Sequence, residues 1–178
     1  MFQNSEVVVR VIRSSRSAGV VREVLDGHRP ALWMSDLYSA QRGHAEDWQI
    51  CLSHQLRGCI YAIHSGDAVF ALGMKALLLR AVVLARRHRN LAPSTRRKYC
   101  RRLEFAFDAI MALAPTHRKG QRLRRRYGKL RSHLFTFLNH PELPADNNSR
   151  ERELRPTAIY RKVARGFRYN STALLARA

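Results

Sequence analysis

At 178 residues with 46% hydrophobic side chains, the chain is long enough to close one domain around a real core and too apolar for wholesale disorder. Its 33 Lys+Arg stand against 13 Asp+Glu, a formal charge of +20. Such a field favours polyanions, above all nucleic acid, whose phosphates accept the forked contacts of arginine and release counterions. An anionic membrane surface would attract the same charge. However, the most apolar run, 68–79, is short and broken by Lys75, so it cannot span a bilayer. Residues 1–6 have neither the basic start nor the apolar centre of a signal peptide. Three cysteines, Cys51, Cys59 and Cys100, are an odd number in such a chain, so reduced thiols and a cytoplasmic location are expected.

In chain order, Glu6 to Arg13 is rich in β-branched residues and reads as a strand partly buried on both faces. Ser17 is placed to cap a helix from Ala18 to Asp26, with Val20, Val21, Val24 and Leu25 as its apolar stripe and Gly27 as its stop. Ala31 to Ser35 reads as a second buried strand. Strand, helix, strand predicts a βαβ unit with parallel pairing. Asp36 then stands at the carboxyl end of a parallel strand, where open α/β sheets place ligands and chemistry; it equally suits a cap for the next turn.

Trp48 to His54 reads as a strand running into a helix. Its Cys51-x-x-His54 pair is too few ligands for a closed zinc site, and no second pair follows. A buried thiol beside a histidine that satisfies the backbone is the plainer reading. From there to Leu138 the spacing predicts helices. The first follows the strand to Ile63. A long one, capped by Asp67, runs to Arg87. A third restarts at Pro93-Ser94, and a last one, broken near Gly120, carries Leu123, Tyr127, Leu130, Leu134 and Leu138. Basic clusters decorate these helices: Arg86-Arg87-His88-Arg89, Arg96-Arg97-Lys98, Arg101-Arg102, and Arg122 with Arg124, Arg125 and Arg126. One such run is usually a solvated helix face. Four of them, with few acids to offset them, predict a surface that tracks DNA backbone with little sequence preference.

After Pro141-Glu-Leu-Pro144 comes a turn-prone Asp146-Asn147-Asn148 and a charged segment that reads as a helix start. Asn147 or Asn148 can cap it, and Glu151 sits in its first turn among Arg150, Arg152 and Arg155. By pattern, Glu151 is either part of a surface salt-bridge cluster or an acidic metal ligand within a phosphate-binding surface.

The run Asn147-Asn148-x-x-Glu151-Arg152-x-Leu154-Arg155-Pro156, with Ile159 to Val163 and Gly166-Phe167-Arg168, resembles the C-terminal signature of a bacterial transposase family, the one named for insertion sequence sixty-six. Trp33-Met34-Ser35-Asp36-x-Tyr38-x-Ala40-Gln41 resembles the segment carrying the second catalytic aspartate of the same family. The resemblance spans about Val7 to Phe167. It implies a DDE-type enzyme with a ribonuclease-H-like core, acting on transposon-end and target DNA with Mg²⁺ or Mn²⁺, in an oligomer or with a partner chain. It makes Asp36 and Glu151 catalytic metal ligands, with Cys51, His54, Asn147 and Asn148 as supports. Arg152, Arg155, Arg161, Lys162 and Arg168, together with Arg124, Arg125 and Arg126, are the expected DNA contacts.

The expected fold is α/β and predominantly helical: an incomplete ribonuclease-H-like core interrupted by a large all-α insertion. Residues 1–64 would be partial core, 65–140 the insertion, and 141–178 the returning core segment with the acidic motif and a tail. The first catalytic aspartate of the family has no counterpart here, so the expectation is a truncated transposase that binds metal weakly and is inactive alone. The rival expectation is a non-enzymatic basic protein that binds nucleic acid.

Overall fold

In the computed structural model the described residues are 2–3, 8–9, 11 and 13–146. They form a predominantly helical α/β structure, with four short strands and five α-helices. Strands β1 (Phe2–Gln3) and β2 (Val8–Val9) pair antiparallel, and β3 (Leu32–Ser35) pairs parallel with β4 (Asp47–Ile50). Helix α1 (Ala18–Leu25) precedes β3. Helices α2 (Leu52–His64), α3 (Phe70–Arg87), α4 (Pro93–Ala112) and α5 (Arg118–Leu134) follow β4. No helix among the described residues is long and apolar enough to cross a membrane.

The predicted βαβ unit needs two corrections. Among the described residues the first strand is only Val8–Val9, with Val9 42% exposed, and it pairs antiparallel with Phe2–Gln3. The parallel partner of β3 is instead β4, reached through the loop 36–46 and its 3₁₀ turn Ser39–Gln41. Helix α1 is where the apolar stripe predicts it, with Val21 buried. It ends as Asp26 takes a left-handed conformation (φ 45°) and donates its N–H to the Arg22 carbonyl, ahead of Gly27 (φ 78°). Ser17 occupies the N-cap without a side-chain capping bond.

The helical block forms because α3 is apolar at i, i+3 and i+4: Phe70, Met74, Leu77, Leu78 and Ala81 are all fully buried. Helices α2 and α4 pack on α3, and α5 packs against α2. Helix α5 is strongly basic, yet Gly120, Leu123, Tyr127 and Leu134 fall on one side and are buried. Phe107, Phe135 and Phe137 meet edge to face, with ring centroids 5.7 and 6.4 Å apart. The Tyr127 hydroxyl donates to the Gln55 carbonyl at 3.3 Å, and burial pushes its acidity well out of the usual phenol range.

Asp67 caps α3 as its sequence position predicts: its Oδ1 accepts the Ala71 N–H at 2.9 Å, while the residue is completely buried. Its other oxygen faces Gly120. Helix α5 is therefore not broken at Gly120. It runs unbroken from Arg118, and the glycine lies in its first turn because a Cβ there would stand 1.5 Å from the Asp67 carboxylate oxygen. Further along, a Cβ on Gly128 would meet only the Met111 methyl, at an ordinary 3.7 Å. Gly120→Ala is expected to destabilise the fold by about 1–3 kcal/mol through overpacking. Gly128→Ala, in the same helix, should gain about 0.5–1 kcal/mol from helix propensity. Urea melts of the two variants decide; equal effects would show that Gly120 is not needed by Asp67.

The run Arg86 to Arg89 is not a uniformly solvated face. His88 is 1% exposed, neither ring nitrogen has a hydrogen-bond partner among the described residues, and its ring meets Phe137 edge-on. Burial, then the charge of Arg96, holds its pKa below the ordinary 6.5. The folded state thus takes up a proton on this imidazole less readily than the unfolded chain does. The penalty is absent above about pH 6.5 and grows as pH falls, so stability is lost on the acid side. The loss of urea resistance between pH 7.5 and 5.5 should shrink in His88→Leu.

Candidate active site at the carboxyl edge of the parallel strands

Ser35 lies opposite Ile50 in the parallel ladder, so the residues that follow them, Asp36 and Cys51, leave the sheet at the same edge. The Cys51 N–H donates to the Ser35 carbonyl at 2.8 Å, extending the ladder by one bond. The Trp48 indole donates to Ser35 Oγ at 2.9 Å, and that hydroxyl donates to the Asp36 carbonyl at 3.0 Å. Asp36 is half-buried, and its Oδ1 accepts the Tyr38 N–H at 2.9 Å. The aspartate closes its own turn, as an Asx residue does, while standing at the strand end; both sequence readings of Asp36 describe its position. Arg42 steadies the loop by donating to the Leu37 carbonyl at 2.7 Å and lying 5.6 Å over the Trp48 ring.

Cys51 is completely buried at the N-cap of α2, and His54 is half-buried in the first turn of that helix. The free amide of Leu52 is taken by a distant part of the chain: it donates to the Ala145 carbonyl at 2.9 Å. Ala145 is buried, and Asp146 next to it is half-buried. The return of the chain to this edge had no signal in local sequence. Asn147, Asn148 and Glu151, with Arg152, Arg155, Arg161, Lys162 and Arg168, lie outside the described residues.

Gln49 is a residue that pattern reading missed. It is completely buried in β4; its Nε2 donates to the carbonyls of Ile50 (2.7 Å) and Leu134 (2.9 Å), and its Oε1 accepts the Phe137 N–H at 3.0 Å. Thr136 adds a bond from its hydroxyl to the Trp48 carbonyl at 2.8 Å. The strand that ends at the candidate site is thus bolted to the end of α5 and the following 3₁₀ turn, Thr136–Leu138. A lone amide between Trp48 and Ile50 in a strand buried at its end was the available signal.

The basic face is built on α5. With Leu123 and Tyr127 turned inward, Arg122, Arg124, Arg125, Arg126 and Lys129 are exposed. Arg124 is partly committed, since its Nε donates to the Met111 carbonyl at 2.8 Å. Arg89 spends its guanidinium on the Pro141 and Glu142 carbonyls, at 2.8 and 2.6 Å. Not every cation of the charge runs is therefore available to a polyanion.

For a divalent cation, the described residues bring Asp36 to this edge, and no group of three or more His, Cys, Asp or Glu side chains stands together among them. Mg²⁺ needs several oxygen ligands, so the described residues alone do not fit it. Gln49→Leu keeps the volume but leaves the Phe137 N–H and the Leu134 carbonyl unpaired in the core. The expected cost is about 2–5 kcal/mol, read from chemical denaturation, and a cost under 1 kcal/mol would mean the amide is dispensable.

No curated protein and no solved structure matches the chain. A family model described as Transposase IS66 family matches residues 1–174, nearly the whole length. The chain therefore belongs to the IS66 family of transposases.

Proposed function

We propose that this chain serves DNA transposition by holding the phosphate backbone along its basic face and contributing Asp36 and Glu151 to a divalent-metal site, and that it does not cut DNA by itself. The observation that carries the reading is the Leu52–Ala145 hydrogen bond beside the Cys51–Ser35 bond. It returns the chain to the edge that presents Asp36, only six positions before Glu151. Six residues reach at most about 20 Å, so the two carboxylates are within range of a common site although far apart in sequence. Family membership supports DNA as the substrate and a divalent metal as the cofactor.

When bound, paired Mg²⁺ or Mn²⁺ ions would activate the attacking oxygen and steady the leaving one. The protein's own contribution is positional. The Asx turn fixes the Asp36 backbone, the parallel ladder fixes the strand end, and Gln49 fixes the ladder to the helices. Two acids are too few to hold a pair of such ions, which is why turnover by this chain alone is not expected. In this reading the chain divides into a partial core (1–64), a helical insertion (65–140) and a returning segment (141–178), with Cys51, His54, Asn147 and Asn148 supporting the site. Arg152, Arg155, Arg161, Lys162 and Arg168 would extend the DNA face begun by Arg124, Arg125 and Arg126.

Binding to a fluorescent DNA duplex tests this reading. Replacing Arg122, Arg125 and Arg126 with Gln should weaken binding about equally on all sequences and lower the slope of log K against log salt by roughly 2–3. Asp36→Asn and Glu151→Gln should leave metal-free binding unchanged and abolish any stimulation by Mn²⁺. Binding indifferent to metal in every variant would favour a non-enzymatic nucleic-acid-binding protein. Mn²⁺-dependent plasmid nicking that Glu151→Gln removes would overturn the claim that the chain is inactive alone.

A further inference from the structure

Away from the strand edge, α3 and α4 leave a groove of about 520 Å³ between them, floored by the buried Leu77 and Leu103. Its walls are apolar yet open to water: Leu79 is 47% exposed, Val83 50% and Tyr99 43%. On α3 the stripe continues through Leu72, 52% exposed, so the outward side of a core helix stays apolar. The mouth is cationic, with exposed Arg80, Arg87 and Arg102. Among the described residues none of the three forms an ion pair; Arg102 lies 6.0 Å over the Tyr99 ring.

We propose that this groove docks an amphipathic helix of a partner protein, whose apolar face fills the groove and whose flanking Asp and Glu side chains meet Arg80, Arg87 and Arg102. Length supports a helix: the α3 lining from Leu77 to Arg87 runs about 15 Å, matching anchors at i, i+3 or i+4, and i+7 of a ligand helix. Charge selects the partner. A second copy of this +20 chain would bring more cations to a mouth that already holds three. The chain's own residues 147–178 are poor occupants for the same reason, since Arg and Lys far outnumber Glu there. DNA matches the rim but has no apolar face for the walls.

The test uses the 178-residue chain and three fluorescein-labelled 15-residue helical peptides. One has leucines at the anchor spacing flanked by glutamates, one has the same leucines flanked by lysines, and one has the glutamates with serines for the leucines. Anisotropy should show the first binding at least tenfold tighter than the others. Leu79→Asp with Val83→Asp, both at exposed positions, should weaken it at least tenfold with an unchanged thermal melt. Arg80→Glu with Arg102→Glu should shift the preference to the lysine-flanked peptide, a gain that misfolding cannot produce. Equal binding of the serine peptide would overturn the proposal, because the basic surface alone would then explain it. So would no binding, or a dimer in sedimentation velocity that Leu79→Asp dissociates.

Discussion

The architecture hangs on one buried amide. Gln49 gives both of its polar atoms to backbone groups, one from its own strand and two from the end of the helical block. A short parallel pair is a weak element by itself, with few ladder bonds and no independent stability. Through Gln49 and Thr136 the pair borrows the rigidity of a block with a core of its own. Burying an amide is costly unless every partner is supplied, and here they are supplied with good geometry. That is why the strand can end in a polar, half-open edge and still be held in place.

That edge collects three parts of the sequence: the end of β3 with Asp36, the start of α2 with Cys51 and His54, and the returning chain at Ala145. The bonds that gather them are backbone to backbone, so the arrangement tolerates side-chain change except where a side chain does the fastening, as at Ser35 and Trp48. The proposed chemistry needs carboxylates converging from distant segments, and a scaffold of this type suits that need. The basic face on α5 is a separate provision, set by helical periodicity and independent of the edge.

Much of this was legible beforehand, for physical reasons particular to each element. Asp67 and Pro93 mark helix starts because capping and a missing N–H act locally, and both mark them correctly. The apolar spacing of α1 and α3 reads directly because one helix face does the burying. Asp36 at the end of a parallel strand was also legible, although its strand partner was not, since pairing is decided by contacts distant in sequence. Gly120 misled because glycine usually interrupts helices, whereas here it makes room for a carboxylate. His88 was hidden in a charge run: its neighbours are cations, and only the fold shows that this one position turns inward against Phe137. Family membership, shown by the match over residues 1–174, agrees with the motif resemblance, while the acidic motif itself lies beyond Asp146 and outside the described residues.

The bond from Leu52 to Ala145 also has a consequence for the order of synthesis. The N-terminus of α2 leaves the ribosome early, but the carbonyl that satisfies its first amide is made 93 positions later. The nascent helices can pack on one another as they emerge, since their contacts lie within one stretch of chain. The strand edge cannot be finished until residue 145 is free. The bond that ties Leu52 to this carbonyl can therefore form only after every helix of the block, the last ending at Leu134, has been synthesised.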